Sequence, residues 1–132
     1  MYTKDRLLPA VTLVDVFPRD GLQTLVHERG LYSPTTVEKV RVIEALDRAG
    51  VPEIEVAGFV HPRVIPSLAD AEEVVAAVLA RAHRACLRAL VPNYRGVERA
   101  LAAGVRKLSC LIVASETYQR LNSNMSVEEE VS

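Results

Sequence analysis

Four short apolar runs, rich in β-branched residues, recur along the chain, and segments of helical period fill the gaps between them. The runs 10–17 (AVTLVDVF), 52–59 (PEIEVAGF), 85–93 (ACLRALVPN) and 107–115 (KLSCLIVAS) read as strands. Segments 33–50, 71–82 and 94–105 read as helices. The order is therefore βαβαβαβ, with a repeat of about 30 residues, the length of one βα unit. That order predicts an α/β fold in which parallel strands are joined by right-handed crossovers and helices pack outside the sheet.

The helices carry their own end signals. Ser33 with Pro34 at the first helical position starts the first helix, or else Thr35 caps it and Glu38 closes a capping box. Val37, Val40, Ile43 and Leu46 fall at helical spacing, and Gly50 ends the segment. Asp70 stands as the cap of the second helix, and Gly104 ends the third. Ser126 followed by Glu129 is a further start signal, yet the chain stops at Ser132. The expectation is one incomplete domain, 1–132, with four strands, three full helices and the start of a fourth.

A length of 132 residues suits one domain with its own core, and 49% apolar with 25% charged residues is a soluble balance. A net charge of −1 offers no basis for binding nucleic acid or an anionic membrane. No apolar stretch approaches the roughly 20 residues of a bilayer span, and the N-terminus lacks the apolar core of a signal peptide. Cys86 and Cys110, in predicted strands, read as buried free thiols in a reducing cytoplasm; a disulfide between neighbouring strands is the alternative.

In parallel α/β folds, sites gather at the carboxyl ends of strands. Arg19 and Asp20 follow the first run and Glu55 lies in the second. Asn93 follows the third, and Ser115 and Glu116 the fourth. An aspartate there is a hard oxygen ligand for Mg²⁺ or Mn²⁺, and an arginine beside it stabilises developing negative charge. The bland reading of the pair is a solvent-exposed turn in which Gly21 supplies an unusual backbone conformation. Glu55, in an apolar strand, needs a partner. It pairs with Arg19, orients a metal-bound water, takes part in proton transfer, or forms a structural salt bridge. Gln23 reads as a pocket residue or a loop hydrogen bonder. His27, His61 and His83 form no metal-binding spacing. His61 is nearest the expected rim, and His83 belongs to a helix end. Dinucleotide, P-loop and serine-hydrolase fingerprints are absent.

FPRDGLQ (17–23) closely resembles the first-strand motif of hydroxymethylglutaryl-CoA lyases, members of a metal-dependent lyase and synthase superfamily of TIM barrels. The resemblance continues, colinearly, through AGVPEIEVAGFVHPRVIP, LVPNYRGVERALAAGV and ASETYQRLNSNMSVEEEV. Condensing synthases of the superfamily share the Arg–Asp pair but typically carry glutamate where Leu22 stands here, which favours the lyase branch. The resemblance implies a divalent metal, Mg²⁺ or Mn²⁺, bound partly by Asp20. It implies that Arg19 stabilises an enolate, that Glu55 assists near the metal and its water, and that Gln23 lines the substrate end of the pocket. The implied reaction is cleavage of 3-hydroxy-3-methylglutaryl-CoA to acetyl-CoA and acetoacetate.

Gly58 and His61 depart from serines of the family pattern, and the loop after Gln23 is longer than usual; a related hydroxyacyl-CoA is the alternative substrate. A TIM barrel needs about 250 residues, and the family's His-x-His pair, later asparagine, catalytic cysteine loop and a further acidic residue are not in this sequence. The chain thus reads as the N-terminal half of such a lyase, a gene fragment or half of a split protein, inactive alone. A partner chain or a homodimer would cover the open barrel edge, although a homodimer would still lack the histidines. The remaining alternatives are a Claisen-type condensing acyltransferase of the same superfamily and a non-catalytic half-barrel module.

Overall fold

Residues 10–23 and 33–131 are described by the computed structural model of the chain; His27 and most of the long first loop lie outside them. Four parallel strands form one sheet in the order β1 (Val14–Asp15), β2 (Glu53–Gly58), β3 (Cys86–Leu90), β4 (Lys107–Ser109). Helices α1 (Thr36–Arg48), α2 (Ala71–Leu79) and α3 (Tyr94–Ala102) alternate with them, followed by α4 (Glu116–Ser123) and α5 (Val127–Val131). The expected strand count, strand direction and alternation all hold. This is the arrangement of the first half of a TIM barrel.

The core lies between the sheet and the helices. Ile54, Val56, Ala89 and Val91 from the sheet side meet Val40 and Ile43 of α1, Val74, Val75 and Val78 of α2, and Ala100 of α3. Each aliphatic side chain withdrawn from water there contributes on the order of 1.5–3 kcal/mol. Val37, one turn before Val40, is exposed and does not join this face.

Of the two starts for α1, the structure takes Thr35. Its hydroxyl accepts the Glu38 N–H, and its own N–H donates to Glu38 Oε2 at 2.8 Å, which completes the capping box. Gly50, at φ +83°, then lets the Val51 N–H return to the Leu46 carbonyl and close the helix end. Asp70 stands before α2 but does not cap it through its side chain. Its carboxylate instead receives Thr36 Oγ1 at 2.7 Å and the buried Lys39 ammonium, which also donates to the Ser67 carbonyl. A full cation outcompetes a backbone N–H for a carboxylate.

Three expectations need correction. The outer strands are shorter than 10–17 and 107–115, because β1 and β4 are edges with one pairing neighbour each; Val11, Leu13, Leu111 and Ile112 are exposed. Helix α4 was not expected. Its sequence, ETYQRLNS, has no apolar stripe, and it is set up instead by the Ser115 cap and closed by Asn124 in the left-handed conformation. The Ser126–Glu129 box does open α5, with both reciprocal bonds made. Cys86 and Cys110 are free, as expected, but exposed rather than buried. Cys86 opens β3 and Cys110 follows the edge strand β4, so neither sits in the covered middle of the sheet.

Arg99 ties α3 to α2. Its Nε and Nη2 donate to the two oxygens of Glu72 at 2.7 and 3.0 Å, Nη1 donates to the Val60 carbonyl, and the guanidinium lies 5.5 Å from the Phe59 ring centroid. Hydrogen bonding from Arg99 holds the Glu72 carboxyl below its ordinary value of 4.5. The folded chain thus binds fewer protons at Glu72 than the unfolded chain does. The resulting stability is complete above the ordinary value and is lost as pH falls through the depressed one. As pH falls from neutrality to below the ordinary glutamate value, Glu72→Gln is expected to lose less stability than the parent chain, read as the shift in urea midpoint.

Candidate functional site

The first strand ends by turning into a π-helical turn, Phe17–Gly21. Asp15 Oδ1 accepts the Phe17 N–H at 2.9 Å, and the Val16 carbonyl accepts the N–H groups of Arg19 and Asp20. Pro18 is buried beneath, so the turn is pinned to the protein and its next two side chains have defined directions. The reading of this stretch as an exposed turn does not hold for Arg19, whose side chain is 16% exposed. Nor does Gly21 serve through a positive φ. A Cβ there would fall 2.4 Å from the Phe17 ring, so clearance is what glycine provides.

Arg19 lies back across β2. A Cβ at Gly58 would stand 3.3 Å from Arg19 Cγ and 3.1 Å from Leu68 Cδ1, so the bare backbone at Gly58 makes room for the arginine stem. From there Arg19 Nε donates to Glu55 Oε1 at 2.6 Å, and Nη1 donates to Asp20 Oδ1 at 2.7 Å. Of the partnerships open to Glu55, this structure makes the one with Arg19. Asp20 is the outer member, 61% exposed, and Glu55 the inner one, 5% exposed. Two of the five guanidinium N–H donors are engaged in these bonds, leaving a planar cation aimed by carboxylates on either side. Leu22 is buried. Gln23, half-buried, ends the described part of this segment.

Glu55 does not stand alone. A register shift between Glu55 and Ala57 places one extra residue, Val56, in β2 against β3. Glu55 pairs in register with Arg88, and Arg88 with Lys107. The second oxygen of Glu55 accepts the Ser109 hydroxyl at 2.8 Å, and Ser109 Oγ accepts Arg88 Nε at 2.8 Å. Arg88 Nη1 lies 2.9 Å from Glu53 Oε1, and Lys107 Nζ donates to Glu53 Oε2 at 2.8 Å. Cations and carboxylates therefore alternate across three strands, which is how two carboxylates remain buried in one strand. Sequence reasoning missed Glu53, Arg88, Lys107 and Ser109. The signal for the three charged residues was a charge in each of three neighbouring runs otherwise read as buried strands.

The other rim candidates are spent on local structure. Asn93 Oδ1 accepts the Gly96 N–H and caps α3; Ser115 caps α4. Glu116 pairs with Arg120 and accepts the Val127 N–H. His61 is exposed and accepts the Arg63 N–H, while His83 Nδ1 lies 3.1 Å from the Ala85 carbonyl. Among the described residues no three His, Cys, Asp or Glu side chains converge as metal ligands. Asp20 contributes a single carboxylate, already bonded to Arg19, so the described residues do not by themselves compose a divalent-cation site.

The HMGL-like family model matches residues 10–132. The chain is 39% identical to an (R)-citramalyl-CoA lyase of Chloroflexus aurantiacus, over 94% of this chain and 40% of that protein. It is 40% identical to a hydroxymethylglutaryl-CoA lyase of Bacillus subtilis, over 92% of this chain and 38% of that protein. Among solved structures, the B. subtilis HMG-CoA lyase superimposes with a TM-score of 0.82 at 40% identity, covering 92% of this chain and 39% of the other. An HMG-CoA lyase from Acinetobacter baumannii, in complex with coenzyme A and 3-methylmalate, superimposes with a TM-score of 0.80 at 32% identity, covering 99% and 40%. The chain spans about 40% of the length of these relatives.

Proposed function

The chain belongs to the HMGL-like family, and from that membership we propose that it is the N-terminal part of a (β/α)₈ acyl-CoA lyase. The observation that carries this reading is the Arg19–Glu55 pair at the end of β1, with Asp20 beside it. The substrate is a 3-hydroxyacyl-CoA of the 3-hydroxy-3-methylglutaryl type. Its hydroxyl proton is removed, and the carbon–carbon bond breaks with its electron pair passing to the thioester enolate. Protonation of the enolate then releases acetyl-CoA, and the other product is acetoacetate. Arg19 binds the substrate and faces the enolate oxygen as charge develops, where a fixed cation acts without reorganising. Glu55 holds that cation in place, and Gln23 lines the substrate end of the pocket. Asp20 supplies one ligand to Mg²⁺ or Mn²⁺, the remaining ligands coming from outside the described residues.

A citramalyl-type thioester is the second reading. Gly58 and His61 depart from the hydroxymethylglutaryl pattern, and a side chain at position 58 would crowd the stem of Arg19. Among the described residues no helix is long and apolar enough to cross a membrane. The likeness to a bacterial lyase supports placing the chain in the cytoplasm. Alone it is inactive; a chain carrying the rest of the barrel covers the edge at β4 and restores turnover.

The test is acetyl-CoA release from each thioester with Mg²⁺, by the chain with and without a separately supplied C-terminal part of a related lyase. Cleavage is expected only in the combined sample, and Arg19→Met lowers it at least about 100-fold. No cleavage of either thioester, or cleavage indifferent to Arg19, sinks the proposal.

A further inference from the structure

Ser109 has one proton to give. Its oxygen accepts from Arg88 Nε at 2.8 Å, and its hydroxyl lies 2.8 Å from Glu55 Oε2. Arg88 has no acceptor capacity, so the serine proton has to point at the carboxylate, and the bonds run in one direction from Arg88 to Ser109 to Glu55. Arg88 is itself held by Glu53, whose other oxygen takes Lys107. With one oxygen of Glu55 on Ser109 and the other on Arg19 Nε, the plane of the carboxylate is fixed by a donor at each oxygen.

We propose that Ser109 and Arg88 are positioning residues: they fix the plane of the Glu55 carboxylate and, through it, the direction of the Arg19 guanidinium. Their consequence for catalysis rests on the lyase reading above, but the positioning itself does not depend on it. The relay links β4 to β1 across the whole width of the sheet, so the geometry at the end of the first strand depends on a residue 90 positions later in the chain.

The experiment is hydrogen exchange of the Arg19 Nε–H in the ¹⁵N-labelled full chain, its resonance assigned by loss in Arg19→Lys. In Ser109→Ala and Arg88→Met, exchange is expected to accelerate at least about tenfold more than that of the backbone amides of Ile54 and Ala89. Ser109→Thr retains the hydroxyl and the slow exchange. Ser109→Val, nearly the same shape as threonine, loses it, and this pair decides the matter if the alanine variant folds poorly. Equal exchange in the threonine and valine variants overturns the proposal, as does unchanged exchange in Arg88→Met. Failure here leaves the lyase assay untouched; absence of thioester cleavage, conversely, leaves the exchange result standing.

Discussion

Replacing Glu55 by alanine lowers the free energy of unfolding by about 3–5 kcal/mol. The carboxylate is 5% exposed and serves Arg19 at 2.6 Å and Ser109 at 2.8 Å. Removing it leaves the guanidinium of Arg19, itself 16% exposed, with the exposed carboxylate of Asp20 as its remaining ion-pair partner, and weakens the hold on Arg88. A mostly buried cation left with one exposed partner costs more than the lost pair's own attraction, because its desolvation is then only partly offset. Glu55→Gln keeps an acceptor for Arg19 and costs less, about 1–2 kcal/mol. Asp20→Ala is the contrast. Its carboxylate is 61% exposed, water replaces it, and the stability change stays below about 1 kcal/mol. On the proposed function the two alanine variants nevertheless lose turnover alike, because one removes the support of Arg19 and the other a metal ligand. Urea titration followed by far-UV circular dichroism measures the stability difference. A Glu55→Ala chain within about 1 kcal/mol of the parent means that the network makes no net contribution and that Glu55 is held by the fold for another reason.

Asp70→Ala has the second large effect, about 2–3 kcal/mol. Lys39 is 4% exposed, and its ammonium meets only Asp70 and the Ser67 carbonyl among the bonds described. Without Asp70 a buried cation keeps one neutral acceptor, and Thr36 also loses its bond. Asp70 is 24% exposed, so water enters partway, which keeps the estimate at the lower end of what breaking a buried pair costs. The midpoint of thermal unfolding falls by roughly 3–5 °C for each kcal/mol in a chain of this size. Lys39→Met combined with Asp70→Ala recovers part of the loss, since no buried charge is then left unpaired. Strict additivity of the two single losses would show that the residues are not coupled.

Much of the fold was legible because strand and helix periods are local properties of the backbone. The α1 capping box, the glycine at its end and the Ser126–Glu129 start signal are all contained within a few residues, and each is found as expected. Helix α4 was not legible, because a cap and a left-handed terminus hold it without an apolar stripe. The exposure of Cys86 and Cys110 was missed for a related reason: run composition says that a strand forms, but not where pairing stops. At the site, Arg19, Asp20 and Glu55 were marked by residue type at strand positions. The rim candidates Asn93 and Ser115 carried the same marks and turned out to be helix caps.

The amino-acid sequence alone determined the order and direction of the βα units and the presence of an arginine–aspartate pair where β1 ends, since both follow from short-range pattern. Only the tertiary structure decided what Glu55 binds. Its partners Arg19 and Ser109 lie 36 and 54 residues away, and the register of neighbouring strands, set by how apolar faces pack and by one extra residue in β2, determines which charges meet.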